Sequence, residues 1–129
     1  MLCHCQSQLE FRDCCEPSLN GLSYPQTPEA LMRARYSAYV MKSIEFIEKS
    51  MTQKAAEDFD PPTALLWMGR VTWQSLQVVS SEVSTEFEPA YIEFKAGFMD
   101  QGTLFVLHEK SRFEFINGQW FYVDGILYS

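Results

Sequence analysis

The sequence predicts an α+β domain in which a bent antiparallel sheet wraps around helices. Three observations carry this expectation. Apolar residues recur at helical spacing up to Gly69 and at strand spacing after it. Two helix starts are written as Thr27-Pro28 and Asp60-Pro61, where a capping side chain precedes the proline that suits a first helical turn. Asn117-Gly118 separates two long alternating segments and reads as a two-residue hairpin. Helices first and strands afterwards is the order of an α+β fold.

The elements follow in order. Residues 16–27, EPSLNGLSYPQT, read as a loop rich in Pro, Ser, Gly and Asn. Thr27 caps a helix that runs to about Met41, with Glu29 at its positive end. Ile44, Ile47 and Met51 share one face of a second helix over Ser43–Met51. A third helix starts at Asp60-Pro61, carries Leu65, Leu66, Trp67 and Met68, and stops at Gly69. Strands are predicted over Val71–Val79, Thr85–Phe98, Thr103–Ile116 and Gln119–Tyr128, with MDQG at 99–102 joining the middle pair. Glu57 and Asp58 read as solvated loop, and there is no internal repeat.

A chain of 129 residues suits one domain with a real core, and its 47% hydrophobic and 15% aromatic content is far from that of a disordered chain. The net charge of −7 repels phosphate backbones, so nucleic acid is not an expected partner. No apolar run approaches the ~20 residues of a membrane span. The N-terminus lacks the basic stretch and apolar core of a secretory signal. The expectation is a soluble, acidic, cytoplasmic protein without a membrane partner.

All four cysteines lie in MLCHCQSQLEFRDCC, spaced C-x-C, eight residues, C-C. A disulfide within either pair, Cys3–Cys5 or Cys14–Cys15, would close a small strained ring. Pairing across the halves is geometrically open, but a reducing compartment keeps thiols free. Zinc, a cross-pair disulfide and unligated thiols are the three alternatives. Two close pairs of thiols favour tetrahedral zinc at Cys3, Cys5, Cys14 and Cys15. Such a site has no open position for water, so the metal would be structural. His4 either replaces one ligand or is a solvated residue between two of them.

C-x-C-x8-C-C resembles the SEC-C motif, the zinc knuckle at the tail of the preprotein translocase ATPase. TPEALMRARYSAYV, Trp73 and LHEKSRFEFINGQWFYVDG extend the likeness to the uncharacterised YchJ family of bacterial proteins. The resemblance implies a zinc-binding segment and linker over residues 1–26 and a nuclear transport factor 2-like domain over 27–129: a cone of helices packed on a bent antiparallel sheet. Where the family reads C-P-C-G-S-G, this chain has Gln6 and Gln8 at the glycines. Glycine there permits φ > 0, so the glutamines should strain or loosen the turn. Some family members carry a second knuckle at the C-terminus. None stands within these 129 residues, so a bridge between two knuckles is not expected within the chain.

A cone of this type implies a pocket of ligand size. Alternation in TLFVLHEKSRFEFI sets Phe105, Leu107, Glu109, Ser111, Phe113 and Phe115 on the inner face. His108, Lys110 and Arg112 fall on the wetter face unless a bulge swaps the faces. Arg35 projects between Leu31 and Tyr39 on the apolar stripe of its helix, while Arg33 and Ser37 point elsewhere. A buried arginine calls for a carboxylate, either Glu109 or Asp124. That pair would fix helix to sheet or, with Tyr36, Ser111 and Tyr122, would bind a ligand. Trp73, Trp120, Phe94 and Phe98 read as core.

No nucleophile elbow, phosphate-binding glycine loop or catalytic His pair is present. The expected function is a zinc-binding protein-interaction or adaptor module with a pocket behind the knuckle. By resemblance, SEC-C knuckles recognise protein partners. The alternatives are an isomerase, dehydratase or hydrolase using Glu109, or His108 if the register shifts, and a small-ligand sensor.

Overall fold

Four strands follow five helices in the computed structural model, which describes residues 1–128. A single 3₁₀ turn (Phe11–Asp13) leads into α1 (Glu16–Leu19), α2 (Pro28–Met41), α3 (Ile44–Lys49), α4 (Gln53–Glu57) and α5 (Pro61–Arg70). Strands β1 (Val71–Glu82), β2 (Ala90–Asp100), β3 (Thr103–Ile116) and β4 (Gln119–Tyr128) form one antiparallel sheet in sequence order. The α+β class and the bent sheet are as the sequence implies. No helix of the described residues is long and apolar enough to cross a membrane.

Helix α2 organises the molecule. Thr27 Oγ1 accepts from Ala30 N at 3.1 Å, and Lys42 ends the helix in the left-handed region while Ser43 N reaches back to Ala38 O at 2.8 Å. The helix is buried on more than one side, from Leu31 and Met32 to Arg35, Tyr36, Ser37 and Ala38. One side packs on the sheet and the other meets the N-terminal segment.

Curvature comes from bulges. Gln74 and Val79 are extra residues in β1 against β2, and Val123 is an extra residue in β4 against β3. A bulge bends its strand and increases the local twist. The one at Gln74 also resets the alternation, so that Leu76 rather than Ser75 is buried after Val71 and Trp73. Strand β3 pairs with β2 without a break, so its alternation holds throughout.

Several boundaries differ from the sequence reading. Strand β2 begins at Ala90 rather than Thr85, because Pro89 has no N–H for the ladder and Ser84 and Thr85 are engaged in turn contacts to Glu88 and Phe87 N. The expected loop 16–27 contains α1, and Glu57 belongs to α4, whose Thr52 cap accepts from Ala55 N at 3.2 Å. The second helix stops at Lys49, and Met51 instead makes a parallel bridge to Tyr122.

The cysteine segment does not stand at the end furthest from the core, as its place in the sequence suggests. Leu2 bridges Glu10, and Cys3 N donates to Leu9 O at 2.8 Å, closing a small loop. Cys3, Cys5, Phe11 and Cys15 are buried in the same apolar cluster as Leu31, Met32, Tyr36 and Ala38. Arg33 Nη1 donates to Cys5 O at 2.7 Å and Gln6 Nε2 to Gln74 O at 3.4 Å, so the segment is tied to α2 and to the bulge of β1. Packing therefore crosses residue 26.

Candidate functional site

Two constellations share α2 as a wall. The first is the cysteine cluster. The four sulfur atoms all lie within 4.8 Å of one another. Cys5 and Cys14 sulfurs are 3.6 Å apart, and Cys14 and Cys15 sulfurs 3.9 Å. A tetrahedral thiolate site with bonds of ~2.3 Å has sulfur–sulfur edges of ~3.8 Å, so the donor set and its spacing fit a metal ion. The backbone that achieves this is left-handed at Gln6 (φ 65°) and Gln8 (φ 70°), the two positions where strain is expected.

The environment of the thiols is uneven. The Cys5 thiol is pulled down to about 4, chiefly by the neighbouring Cys15 thiol and also by Ser7 and Cys14, against the effect of burial. The Cys15 thiol is pushed up by the neighbouring Cys5 thiol and then by burial. Burial pushes Cys14 up. Ser7 Oγ lies 3.2 Å from Cys14 sulfur and Ser37 Oγ 3.7 Å from Cys3 sulfur, supplying hydroxyls around the cluster. His4 is not among the grouped ligands. Its ring stands edge-on to Phe11 at 5.3 Å, and its Nε2 is buried with no partner among the described residues.

The second constellation is a cavity of about 420 Å³ between α2, the α4–α5 region and the inner face of β1–β4. That volume lies in the range of small-ligand sites. Its walls are rich in aromatic residues, with Tyr36, Tyr39, Trp67, Trp73, Phe94 and Tyr122 prominent. Trp73 meets Tyr36 and Trp67 edge-on, at 5.4 and 5.5 Å. Burial pushes the hydroxyl of Tyr36 up to about 12 and raises those of Tyr39 and Tyr122.

Arg35 lines this cavity and is 7% exposed. Its Nη1 donates to Ile47 O at 3.0 Å and to Ser50 Oγ at 2.6 Å, and its guanidinium carbon lies 4.4 Å above the Tyr122 ring. Burial pulls the guanidinium down, opposed by the fields of Tyr39, Tyr122 and Glu109. The expected ion pair with Glu109 or Asp124 is not formed: among the described residues, no ion pair within 4.0 Å includes Arg35. The cause is local. The end of α3 has carbonyls without helical partners, and one of them, with Ser50, takes the arginine. The bulge at Val123 sets Asp124 opposite Arg112, which it meets at 2.9 and 3.0 Å, so Asp124, although among the residues that line the cavity, is paired away from Arg35.

Glu109 and Ser111 do face the cavity from β3, as the alternation predicts. Ser111 Oγ donates to Glu109 Oε2, and the carboxylate lies over Gly125, where a Cβ would come within 2.6 Å of Oε2. Glycine at 125 thus makes room for the acid. His108 is on the other face. Its Nε2 is 2.7 Å from Glu93 Oε2 and its ring 4.5 Å from that of Tyr128, so it does not substitute for Glu109. Phe59 and Gly125 also line the cavity and are not among the residues the sequence points to, whereas Met51, read as part of a helix face, lines it from beyond the end of α3. The lone glycine within a strand pattern was a signal of close approach at Gly125.

A helix-and-sheet cone joined to a four-thiol cluster defines a nuclear transport factor 2-like protein with a cysteine knuckle. The family model described as "YchJ, middle NTF2-like domain" matches residues 27–125. A UPF0225 protein of Photorhabdus laumondii is 36% identical, over 97% of this chain and 80% of the relative. The chain belongs to the YchJ family. Two solved structures of SEC-C motif containing proteins are similar throughout. One, from Rhodopseudomonas palustris, has 31% identity and a TM-score of 0.90 over 100% of both chains. The other, from Psychrobacter arcticus, has 29% identity and a TM-score of 0.84 over 100% of this chain and 84% of its own.

Proposed function

We propose that this chain is a binding protein in which zinc, held by Cys3, Cys5, Cys14 and Cys15, is a structural staple and the aromatic cavity takes a small organic molecule. The observation that carries the reading is the meeting of Arg35, Glu109, Ser111 and Tyr122 at one largely apolar cavity of about 420 Å³. A few convergent polar groups in an apolar recess are the mark of a ligand site. Four thiolates suit zinc over harder cations, and they occupy all its positions. The metal then holds the first fifteen residues against α2, beside Tyr36 and Trp73, which also wall the cavity.

The test is mass spectrometry of protein purified from its native cell under gentle conditions. One small molecule should be retained in near-stoichiometric amount and released on unfolding. Ala55→Phe, which fills the cavity, should lose it while keeping the zinc. Purified protein that carries no small molecule, and that shifts in melting temperature with none from a broad metabolite set, would contradict the reading.

A protein-adaptor role is a second reading, favoured by Met1, Leu2 and Leu9, which stand 73%, 61% and 55% exposed around the knuckle. Leu2→Asp with Leu9→Asp should then remove a stoichiometric partner without loss of zinc. An enzymatic role for Glu109 requires a substrate in the cavity, so ligand binding comes first in either case.

A further inference from the structure

Resting on the ligand-site reading above, we propose that the cavity is built for a small carboxylic acid with an apolar body and a second hydrogen-bond-donating group. Its carboxylate would lie on Arg35 and its hydroxyl or amino group on Glu109.

The argument starts from unused hydrogen-bonding capacity. A guanidinium has five N–H donors. In Arg35, Nη1 supplies two, to Ile47 O and Ser50 Oγ. The described residues offer no acceptor to Nε or Nη2. Those two nitrogens form the side of the fork that receives a carboxylate through parallel bonds. Stacking on Tyr122 and the anchor on α3 fix the plane of the group, so its free side is preorganised. A buried charge with no directly paired counter-charge is costly, and an anion at Nε and Nη2 removes that cost.

Glu109 sets the other end. Its Oε2 accepts from Ser111 Oγ and is seated over Gly125, away from any direct ion pair with Arg35. Its Oε1 has no protein donor among the described residues. A ligand with only an anionic group would leave that oxygen unmatched, and one with only a cationic group would leave Arg35 unmatched. The same cavity is lined by Tyr39, Trp73, Phe94 and Tyr122, whose rings favour an apolar or planar body, and the Trp73 Nε1 N–H has no partner among the described residues. A bare inorganic anion would leave most of the cavity unfilled.

The experiment uses the 129-residue, zinc-loaded chain and matched probes: 4-hydroxybenzoate, benzoate, 4-hydroxybenzamide and tyramine. Binding is followed by calorimetry and by quenching of the indole fluorescence of Trp67 and Trp73. We expect 4-hydroxybenzoate to bind at least tenfold tighter than 4-hydroxybenzamide and severalfold tighter than benzoate. Arg35→Lys should erase the preference for acid over amide, whereas Glu109→Gln should erase only the preference for hydroxylated over plain acid. Arg35→Lys keeps a charge in place, so it guards against loss of fold, and its melting curve is measured alongside. Amide or tyramine binding as tightly as the acid would overturn the ligand class while leaving the cavity reading intact. Failure of all four probes to bind would overturn the class, and the cavity reading falls as well only if no molecule co-purifies and none of a broad metabolite set shifts the melting temperature.

Discussion

The cysteine knuckle and the cavity both gather groups that are costly to leave without a partner, yet they specify that partner in different ways. The knuckle does so by donor type. Four thiols within 4.8 Å suit a soft tetrahedral metal whatever surrounds them. The cavity does so by shape and placement: Arg35 and Glu109 are common side chains, and what matters is which of their atoms the scaffold leaves free. The two regions also reach their geometry differently. The knuckle accepts left-handed backbone at Gln6 and Gln8, whereas β3 runs through the cavity wall with an unbroken register. The first should therefore respond steeply to loss of its partner and the second weakly.

The largest effect should come from the metal. Cys15→Ser, or prolonged chelation of the native protein, should lower zinc from about one per chain to near zero. Structural zinc binds small domains with about 10–16 kcal/mol, so the destabilisation should reach several kcal/mol. It should also spread beyond the knuckle, because Cys5 and Phe11 share the core of α2. Elemental analysis with thermal melts decides this. Zinc retained in full by the Cys15→Ser chain would mean that His4 can serve as fourth ligand. A melt unchanged by chelation would mean that the knuckle packs without metal, and the contrast between the two regions would collapse.

Next comes Arg35→Met. Ile47 O keeps Ser50 Oγ as a donor at 3.1 Å, so the loss is partial, about 1–3 kcal/mol by denaturant titration. Glu109→Gln should cost less than about 1 kcal/mol, since the amide oxygen still accepts from Ser111. The double variant should be close to additive because the two groups form no ion pair. A coupling above about 1.5 kcal/mol would show that they interact strongly through the cavity after all.

How much of this was legible in sequence follows the same division. The thiol spacing could be read directly, because donor type is a local property of the residues, whereas the turn at Gln6 and Gln8 was legible only through the resemblance to the family's C-P-C-G-S-G. The inward face of β3 could also be read, since the strand pairs with β2 without a bulge. The partner of Arg35 could not. Periodicity shows that a side chain is buried but not which acceptor the neighbouring element presents, and the end of α3 is a tertiary fact. The pairing of Asp124 with Arg112 depends on a bulge at Val123 that no residue type there announces. The docking of the knuckle was hidden likewise: Arg33 and Ser37 fall off the sheet-facing stripe, and only the folded chain shows that this second face meets Cys5 and Cys3.

A smaller effect is expected at Gly125→Ala. The added methyl would meet the Glu109 carboxylate at 2.6 Å, and the acid can swing away at a cost of about 1 kcal/mol. The stability change should be slight while the binding preference for a hydroxylated ligand falls as it does in Glu109→Gln. A variant with unaltered ligand preference would mean that the seat over Gly125 does not orient the acid.

The smallest effect sharpens the comparison from the knuckle side. Gln6 and Gln8 hold φ near 65° and 70°, a region that costs a side-chain-bearing residue about 1–2 kcal/mol. Glycine removes that cost but adds roughly 0.5–1 kcal/mol of unfolded-state entropy. The net gain should be about 0.5 kcal/mol at each position, or roughly twofold in zinc affinity. The two sites are not equivalent, because Gln6 also donates to Gln74 O at 3.4 Å and Gln8 has no such bond among the described residues. Gln8→Gly should therefore tighten zinc more than Gln6→Gly, as read by competition with a chromophoric chelator. Neither change should alter binding at the cavity, since the strain is confined to the loop around the metal. Weaker zinc binding by both glycine variants would show that the stiffness of the glutamine backbone, rather than its strain, decides how the four thiols are presented.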